Sequence, residues 1–476
     1  MSRRTKIVAT LGPATDDPRT LRKLIAAGVD VVRLNFSHGK AEDHARRADD
    51  VRKAAAELGR DVGVLADLQG PKIRIESFAA GPVELVEGAS FLLDTAMGAN
   101  AGDVHGVGCA YELLPRDTVP GDTLLLNDGA ITLRVEKVDG TRIYTTVVIG
   151  GILSNRKGIN KLGGGLSAAA LTDKDRADLR HACALAADFI AVSFPRTAAD
   201  MHEARQLVRD AGGHAALCAK IERAEALRDL DAIIGASDVV MVARGDLGVE
   251  IGDAELPGWQ KRIIAMAREQ NRLVITATQM MESMIANPIP TRAEVLDVAN
   301  AVMDGTDAVM LSAETATGKY PVKVVEAMSR VCIGAESTKP PIRSMAQIAT
   351  HFARTDEAIA MATTWTAYHM HAEAIIALTE SGSTALLMSR TETQIPIYAM
   401  TRHERTRRRM ALCRGVFPIA FTPSSLEAQK PTEEALALLR DTGALKPGAR
   451  VLTTKGDFTG QAGGTNTMKI LTVPAK

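Results

Sequence analysis

Residues 6–11 form a short apolar, β-branched run. Asp17-Pro18 then offers an N-cap followed by proline at the first helical position, and Gly28 closes that helix. Residues 31–35 read as a second strand, 41–58 as a helix with a charged face, and 62–68 as a third strand. Strand, helix, strand, helix, strand predicts a parallel sheet of βαβ units. At Gly70-Pro71 the rhythm changes. Residues 72–166 carry short β-like pieces at 123–126, 132–138 and 144–148, separated by Gly, Asp and Pro, and predict a small inserted β domain. The first rhythm resumes with strands at 189–193, 215–222, 239–242, 273–278 and 308–312, each followed by a helical run. Three strands before the insertion and five after it make eight, which predicts an α/β protein built on a (β/α)8 TIM barrel. Pro340-Pro341 marks a second boundary. Beyond it, strands at 374–378, 396–400, 416–421, 451–454 and 468–473 alternate with helices as a C-terminal α/β domain. The expected division is 1–70 and 167–340 for the two parts of the barrel, 71–166 for the insertion and 341–476 for the last domain.

Composition narrows the class. The chain of 476 residues suits about three domains. Its 57 Lys+Arg balance 57 Asp+Glu, so the basic excess of a nucleic-acid binder is missing. Aromatic residues at 3% argue against base-stacking platforms and membrane belts. No apolar run reaches the roughly 18 residues of a membrane span. The five cysteines are scattered without CxxC spacing, which excludes a zinc cluster or disulfide framework. With no signal-peptide apolar core after Met1, the expectation is a cytoplasmic protein without nucleic-acid or membrane partners.

In a (β/α)8 barrel the chemistry sits at the C-terminal strand ends, and here those ends are polar. The second carries Arg33, Asn35 and Ser37 in alternation, which share a face if extended. The third ends in Asp67, readable as a metal or phosphate helper or as a turn aspartate before Gly70-Pro71. On the fifth, Lys220 and Glu222 are two apart and share a face; alone, they also read as a plain salt bridge. The sixth ends in a Gly245-Asp246 turn, where glycine lets the backbone approach an anion and a second carboxylate is at hand. The seventh offers Thr276 and Thr278, the eighth Ser312. Together an Arg, an Asp, a Lys, two carboxylates and a Thr at successive strand ends describe Mg²⁺-assisted chemistry on an anionic substrate.

The chain resembles the pyruvate kinases. The stretches that carry the resemblance include 7–13, 33–39, 67–74, 157–160, 219–222, 243–250 and 304–315. The run from Thr278 to Met284, with the following Asn287-Pro288 and Pro290-Thr291-Arg292-Ala293-Glu294, is highly specific to the family. The resemblance implies a barrel, an inserted small β-barrel lid and a C-terminal regulatory domain in a homotetramer. It also implies phosphoryl transfer from phosphoenolpyruvate to ADP, giving pyruvate and ATP, in glycolysis. It assigns Lys220 to the transferring phosphoryl group, and Glu222 and Asp246 to Mg²⁺ (or Mn²⁺). Arg33 is assigned to the substrate phosphate, and the backbone of Gly245 and Asp246 with the Thr278 hydroxyl to the substrate carboxylate. Arg74 and Lys157 match nucleotide-phosphate contacts, with Asn35 and His38 near them. Thr278 and Ser312 are candidates for proton delivery to the enolate.

Two expectations go further. In similar proteins the loop matching Thr379, Ser381, Ser383 and Thr384 binds a phosphorylated effector, which implies activation by a sugar phosphate or a nucleotide monophosphate. Potassium-requiring members hold K⁺ at positions matching Asn35, Ser37, Asp67 and a following threonine. Here that threonine is Leu68, and Gln69 and Lys72 stand where the potassium pattern has lysine and glutamate. The departure implies a protein that does not require K⁺, with the Lys72 ammonium in its place. A Mg²⁺-dependent lyase or aldolase acting on a keto acid through an enolate is the alternative, and a silent metabolite sensor a more distant one. The first would have no use for Arg74 and Lys157, and the second none for Lys220 and Asp246.

Overall fold

The start signal at Asp17 works as its chemistry requires: the carboxylate accepts the Thr20 N–H at 3.0 Å, and the helix Pro18–Ala26 begins with proline. The left-handed residue is Gly28, one position past the Ala27 cap. The computed structural model describes residues 3–338, 352–391, 393–425, 429–457 and 463–475. The Pro340-Pro341 boundary lies outside them.

Eight parallel strands close a barrel in chain order: Lys6–Thr10, Val31–Asn35, Gly63–Asp67, Phe189–Val192, Ala216–Ile221, Val239–Ala243, Leu273–Ala277 and Ala308–Leu311. Closure is made by the first and last, with Lys6 opposite Ala308 and Ala9 opposite Leu311. Most of these strands are buried from end to end, which is why they read as continuous apolar runs rather than alternating ones. The insertion forms a six-stranded, largely antiparallel sheet and a two-stranded ribbon. It packs around its own core of Phe91, Leu93, Leu124, Leu126, Leu133 and Ile143. The barrel expected for this small domain is thus realised as an open sheet with a ribbon beside it.

The last domain is a five-stranded sheet ordered Val416–Ala420, Ile397–Thr401, Ala374–Leu378, Arg450–Gly456, Thr465–Thr472, the final strand antiparallel. Its strand order reverses direction beside Ala374–Leu378, the topological switch point where open α/β sheets bind ligands. No described helix is long and apolar enough to cross a membrane.

The chain divides into two compact units, one of 1–66, 185–189 and 267–476, the other of 67–184 and 190–266. In the first, ion pairs, buried or half-buried, tie the last domain to barrel elements. Arg390 pairs with Asp307, Arg408 with Asp188 at 2.9 Å, and Arg407 with Asp61 at 3.1 Å. Lys6, whose burial pulls its pKa down, donates to the Val416 carbonyl at 2.6 Å.

Three local expectations change. Ser37 lies in a turn after Asn35, its N–H bonded to the Asn35 Oδ1 at 3.2 Å, so Arg33, Asn35 and Ser37 do not form one extended row. Gly245-Asp246 is the first turn of a helix, Arg244–Ile251, rather than an isolated turn. Thr276 is fully buried and bonded to Thr306 at 3.0 Å, and Thr278 lies past the strand end with φ +68°.

Candidate active site

In the unit of residues 67–184 and 190–266, strand Ala216–Ile221 carries Lys220 out among oxygens. Its Nζ lies 2.9 Å from Glu222 Oε1, 3.3 Å from Asp67 Oδ1 and 2.6 Å from Ser193 Oγ. Ser193 donates to the Leu68 carbonyl at 2.7 Å, which fixes its lone pairs toward the lysine. Glu222 is 2% exposed, and its other oxygen accepts the Phe194 N–H at 2.8 Å. Burial raises the Glu222 pKa. Lys220 opposes the rise, and the Asp246 and Asp67 charges add to it. Asp67 does not cap the Gly70-Pro71 turn, because the Gly70 N–H goes to Asp175 at 3.0 Å.

Asp246 stands in the first turn of Arg244–Ile251 and receives Lys72 Nζ at 3.1 Å; Asp128 lies 3.6 Å from the same ammonium. Burial pulls the Lys72 pKa down, but Asp246 and Asp128 outweigh it and hold it above the ordinary value. Lys72 is therefore a partner of Asp246 rather than a solvated lysine. Four carboxylates (Asp67, Glu222, Asp246 and Asp128) thus lie within 3.6 Å of two ammoniums (Lys220 and Lys72). The hard oxygen donors at Glu222 and Asp246 suit a divalent cation of the Mg²⁺ type. No group of three or more His, Cys, Asp or Glu able to hold a metal occurs among the described residues, so such an ion would take its remaining ligands from substrate and water.

The outgoing and return crossings of the insertion meet here. Arg74 Nη1 donates to the Arg156 carbonyl at 2.9 Å, the Ile75 N–H to the Lys157 carbonyl at 2.9 Å, and Arg74 bridges Gly158. Arg74 and Lys157, 83 positions apart by number (157 − 74), become neighbours through that ladder. A crevice beside them is lined by Lys72, Asn160, Phe194, Arg223, Asp246 and Glu250, among others. Burial drives Glu250 up to about 7; the Ala224 N–H opposes the shift and Glu225 adds to it. The sequence reading passed over Ser193, Glu250 and the Lys72–Asp246 contact. Ser193 ends an apolar strand and Glu250 closes a helix; neither carries a local signal.

In the other unit, Arg33 Nη1 donates to Thr10 Oγ1 at 3.1 Å. Asn35 ends its strand, and His38 is exposed. Thr278 and Gln279 both have positive φ, a conformation that costs β-branched threonine about 1–3 kcal/mol and is typical of functional turns. Glu314 accepts the Ser312 N–H at 2.6 Å and the Met281 N–H at 3.3 Å, setting both backbones. The specific 291–294 stretch is a capping box: Thr291 and Glu294 exchange bonds at 3.2 and 2.8 Å, and Glu294 also accepts from the Ser283 N–H at 2.7 Å. At the last domain's switch point, Thr379 Oγ1 accepts the Gly382 N–H at 2.9 Å. Thr384 turns inward to Thr465 at 2.6 Å, which leaves Thr379, Ser381 and Ser383 nearer the surface.

The family model described as pyruvate kinase, barrel domain, matches residues 2–325, and that for the pyruvate kinase alpha/beta domain matches 357–471. The chain is 58% identical over 475 residues to pyruvate kinase II of Salmonella typhimurium, with 99% of both chains covered. It is 52% identical over 458 residues to a pyruvate kinase of Haemophilus influenzae, covering 95% of this chain and 96% of that one. A crystal structure of a pyruvate kinase from Cryptosporidium parvum superposes with a TM-score of 0.93 at 35% identity, over 99% of this chain and 96% of that one. The polar strand ends, the inserted sheet and the switch-point domain are those of the pyruvate kinase family, to which this chain belongs.

Proposed function

We propose that the chain transfers the phosphoryl group of phosphoenolpyruvate to ADP, giving pyruvate and ATP as the last step of glycolysis in the cytoplasm. The observation that carries this reading is the Lys220 ammonium set between the buried carboxylates of Asp67 and Glu222, with Asp246 close enough to perturb Glu222. Phosphoryl transfer asks the protein for positioning and charge neutralisation rather than covalent help. Lys220 and Arg33 neutralise the phosphoryl oxygens as the bond to the enol oxygen breaks and an ADP oxygen takes its place. Pyruvate kinases use Mg²⁺; here Glu222 and Asp246 would hold it (or Mn²⁺), and it supplies further charge neutralisation when bound. The N–H groups of the first turn at Gly245 and Asp246, with the Thr278 hydroxyl, take the substrate carboxylate. Arg74 and Lys157, with Asn35 and His38, take the nucleotide, and the inserted domain excludes water as a lid. The enolate left behind receives its proton from the side of Thr278 and Ser312, through water.

Lys72 stands for the monovalent cation, so K⁺ is not required; its ammonium near Asp246 supports that reading. The domain division at 70/71, 166/167 and 340/341 belongs to the same proposal. So does a homotetramer, supported by the exposed apolar Ile289, Leu296 and Met303 on and beside the helix Arg292–Asp304. So does activation by a sugar phosphate or AMP at Thr379, Ser381, Ser383 and Thr384. Screening these compounds at sub-saturating phosphoenolpyruvate checks the activation, and no response to any of them removes it. A coupled assay of the purified protein should show pyruvate and ATP formed one for one from phosphoenolpyruvate and ADP, dependent on Mg²⁺. Absence of pyruvate under those conditions rejects the whole reading, and cleavage of a keto acid instead would favour the lyase.

A further inference from the structure

The helix Arg244–Ile251 touches both crossings of the inserted domain. Asp246, in its first turn, holds Lys72 of the outgoing crossing. Glu250 lies four residues on and so on the same helix face. It is 4% exposed, and each of its acceptors is spoken for. Oε1 accepts from Asn160 Nδ2 at 3.3 Å, Oε2 from the Ala224 N–H at 2.9 Å, and its carbonyl from the Gly163 N–H at 2.8 Å. Asn160 lies on Ile159–Lys161, the strand that directly follows Lys157 and Gly158. Gly163 opens a run of three glycines, all with positive φ, a stretch whose backbone is free to turn unless something fixes it. The main chain of Glu250 fixes it from one side through that carbonyl, and the Glu250 side chain holds the preceding strand through Asn160. From the other, Glu225 accepts the Gly165 N–H, and Arg223 donates to the Leu166 carbonyl at 2.9 Å.

We propose that Glu250 is a positioning residue for the phosphoryl transfer: it ties the return crossing of the inserted domain to the helix that bears Asp246, and so sets the nucleotide-facing Arg74 and Lys157 in register with the metal carboxylates. The proposal rests on the phosphoryl-transfer reading above and adds to it a residue that touches neither substrate nor metal. A side chain that only filled space would act on stability. One that sets the nucleotide side of the site acts on ADP and spares phosphoenolpyruvate, because Lys220 and Arg33 do not depend on it.

The test is steady-state kinetics of the full chain with each substrate varied in turn. Glu250→Ala should raise KM for ADP about tenfold, the size of one charge-assisted hydrogen bond. KM for phosphoenolpyruvate should stay within about twofold, and Glu250→Gln, which keeps one acceptor, should recover part of the loss. Should Glu250→Ala not fold, Asn160→Ala removes only the insertion-side partner and should give the same split. With both foldable, the double variant should be no worse than the worse single one. A lowered melting temperature with unchanged KM for ADP overturns the proposal, as does an equal rise in both KM values or strict additivity. Inactivity of the wild-type protein toward phosphoenolpyruvate and ADP would instead count against the reaction itself.

Discussion

Two buried charge clusters stand in the two units of this molecule, and they are opposite in kind. Asp307 is fully buried and pairs with Arg390 through both oxygens, which also accept the Val274 N–H at 2.9 Å and the Arg414 N–H at 3.1 Å. Burial pushes its pKa up, but Arg390 and Arg268 overcome that and hold the carboxyl below its usual value. Glu222 is buried to nearly the same degree, yet it shares the single Lys220 ammonium with Asp67 and meets further negative charge from Asp246, so its pKa is raised. The first cluster is complete within the chain. In the second, Lys220 does not offset the burial of Glu222 and the neighbouring negative charges. A carboxyl held below its usual value serves the fold, whereas a buried carboxyl held above it at a strand end fits the cation and phosphoryl group of the proposed reaction.

The largest effect that separates them is on turnover. Lys220→Met should lower kcat by about a hundredfold to a thousandfold, the worth of a preorganised donor to transition-state charge. The fold, checked by melting, should be retained. Near-normal turnover at saturating substrates would erase the functional side of the contrast. On the other side, Asp307→Asn leaves Arg390 buried without its countercharge and should cost about 3–5 kcal/mol in denaturant unfolding, with activity per folded molecule kept. The pH sign follows from the depressed carboxyl: its contribution is full above the unfolded value near 3.8 and is lost as pH falls through the lower folded value. Wild type should therefore lose stability steeply below about pH 4, and Asp307→Asn less so.

Glu222→Gln sharpens the contrast by its opposite sign. It removes a charge the metal-free protein holds at a disadvantage, so metal-free stability should stay within about 1 kcal/mol of wild type or rise. The melting shift on adding Mg²⁺ should shrink at the same time. A loss as large as that of Asp307→Asn would mean that the two clusters do not differ. The smallest effect concerns K⁺. Activity should change less than about twofold between K⁺ and a bulky cation at matched ionic strength, because Lys72 already supplies a fixed charge. A tenfold stimulation by K⁺ would contradict this, and Lys72→Glu should lose activity and regain part of it with K⁺.

The eight barrel strands were legible within a residue or two, because a strand covered on both faces must be apolar throughout and its helix-bounded ends are polar. Lys220, Glu222 and Asp246 stood out for a related reason, as charge at the end of such strands, and the structure does pair Lys220 with Glu222 at 2.9 Å. The Lys72–Asp246 contact, Ser193 and Glu250 were not legible. Nothing adjacent to Lys72 announces that its ammonium meets a carboxylate 174 positions away (246 − 72), and a serine after an apolar strand looks like any other. Thr278 misled for a different reason: alternation assumes extended backbone, and the left-handed turn at Thr278 and Gln279 is imposed by what surrounds it. The sequence by itself therefore determined the order of elements, the closed parallel sheet and which strand ends carry charge, since burial periodicity and turn chemistry are local. Tertiary structure alone decided how those charges are shared, because Coulomb interactions and burial depend on distance through space rather than along the chain.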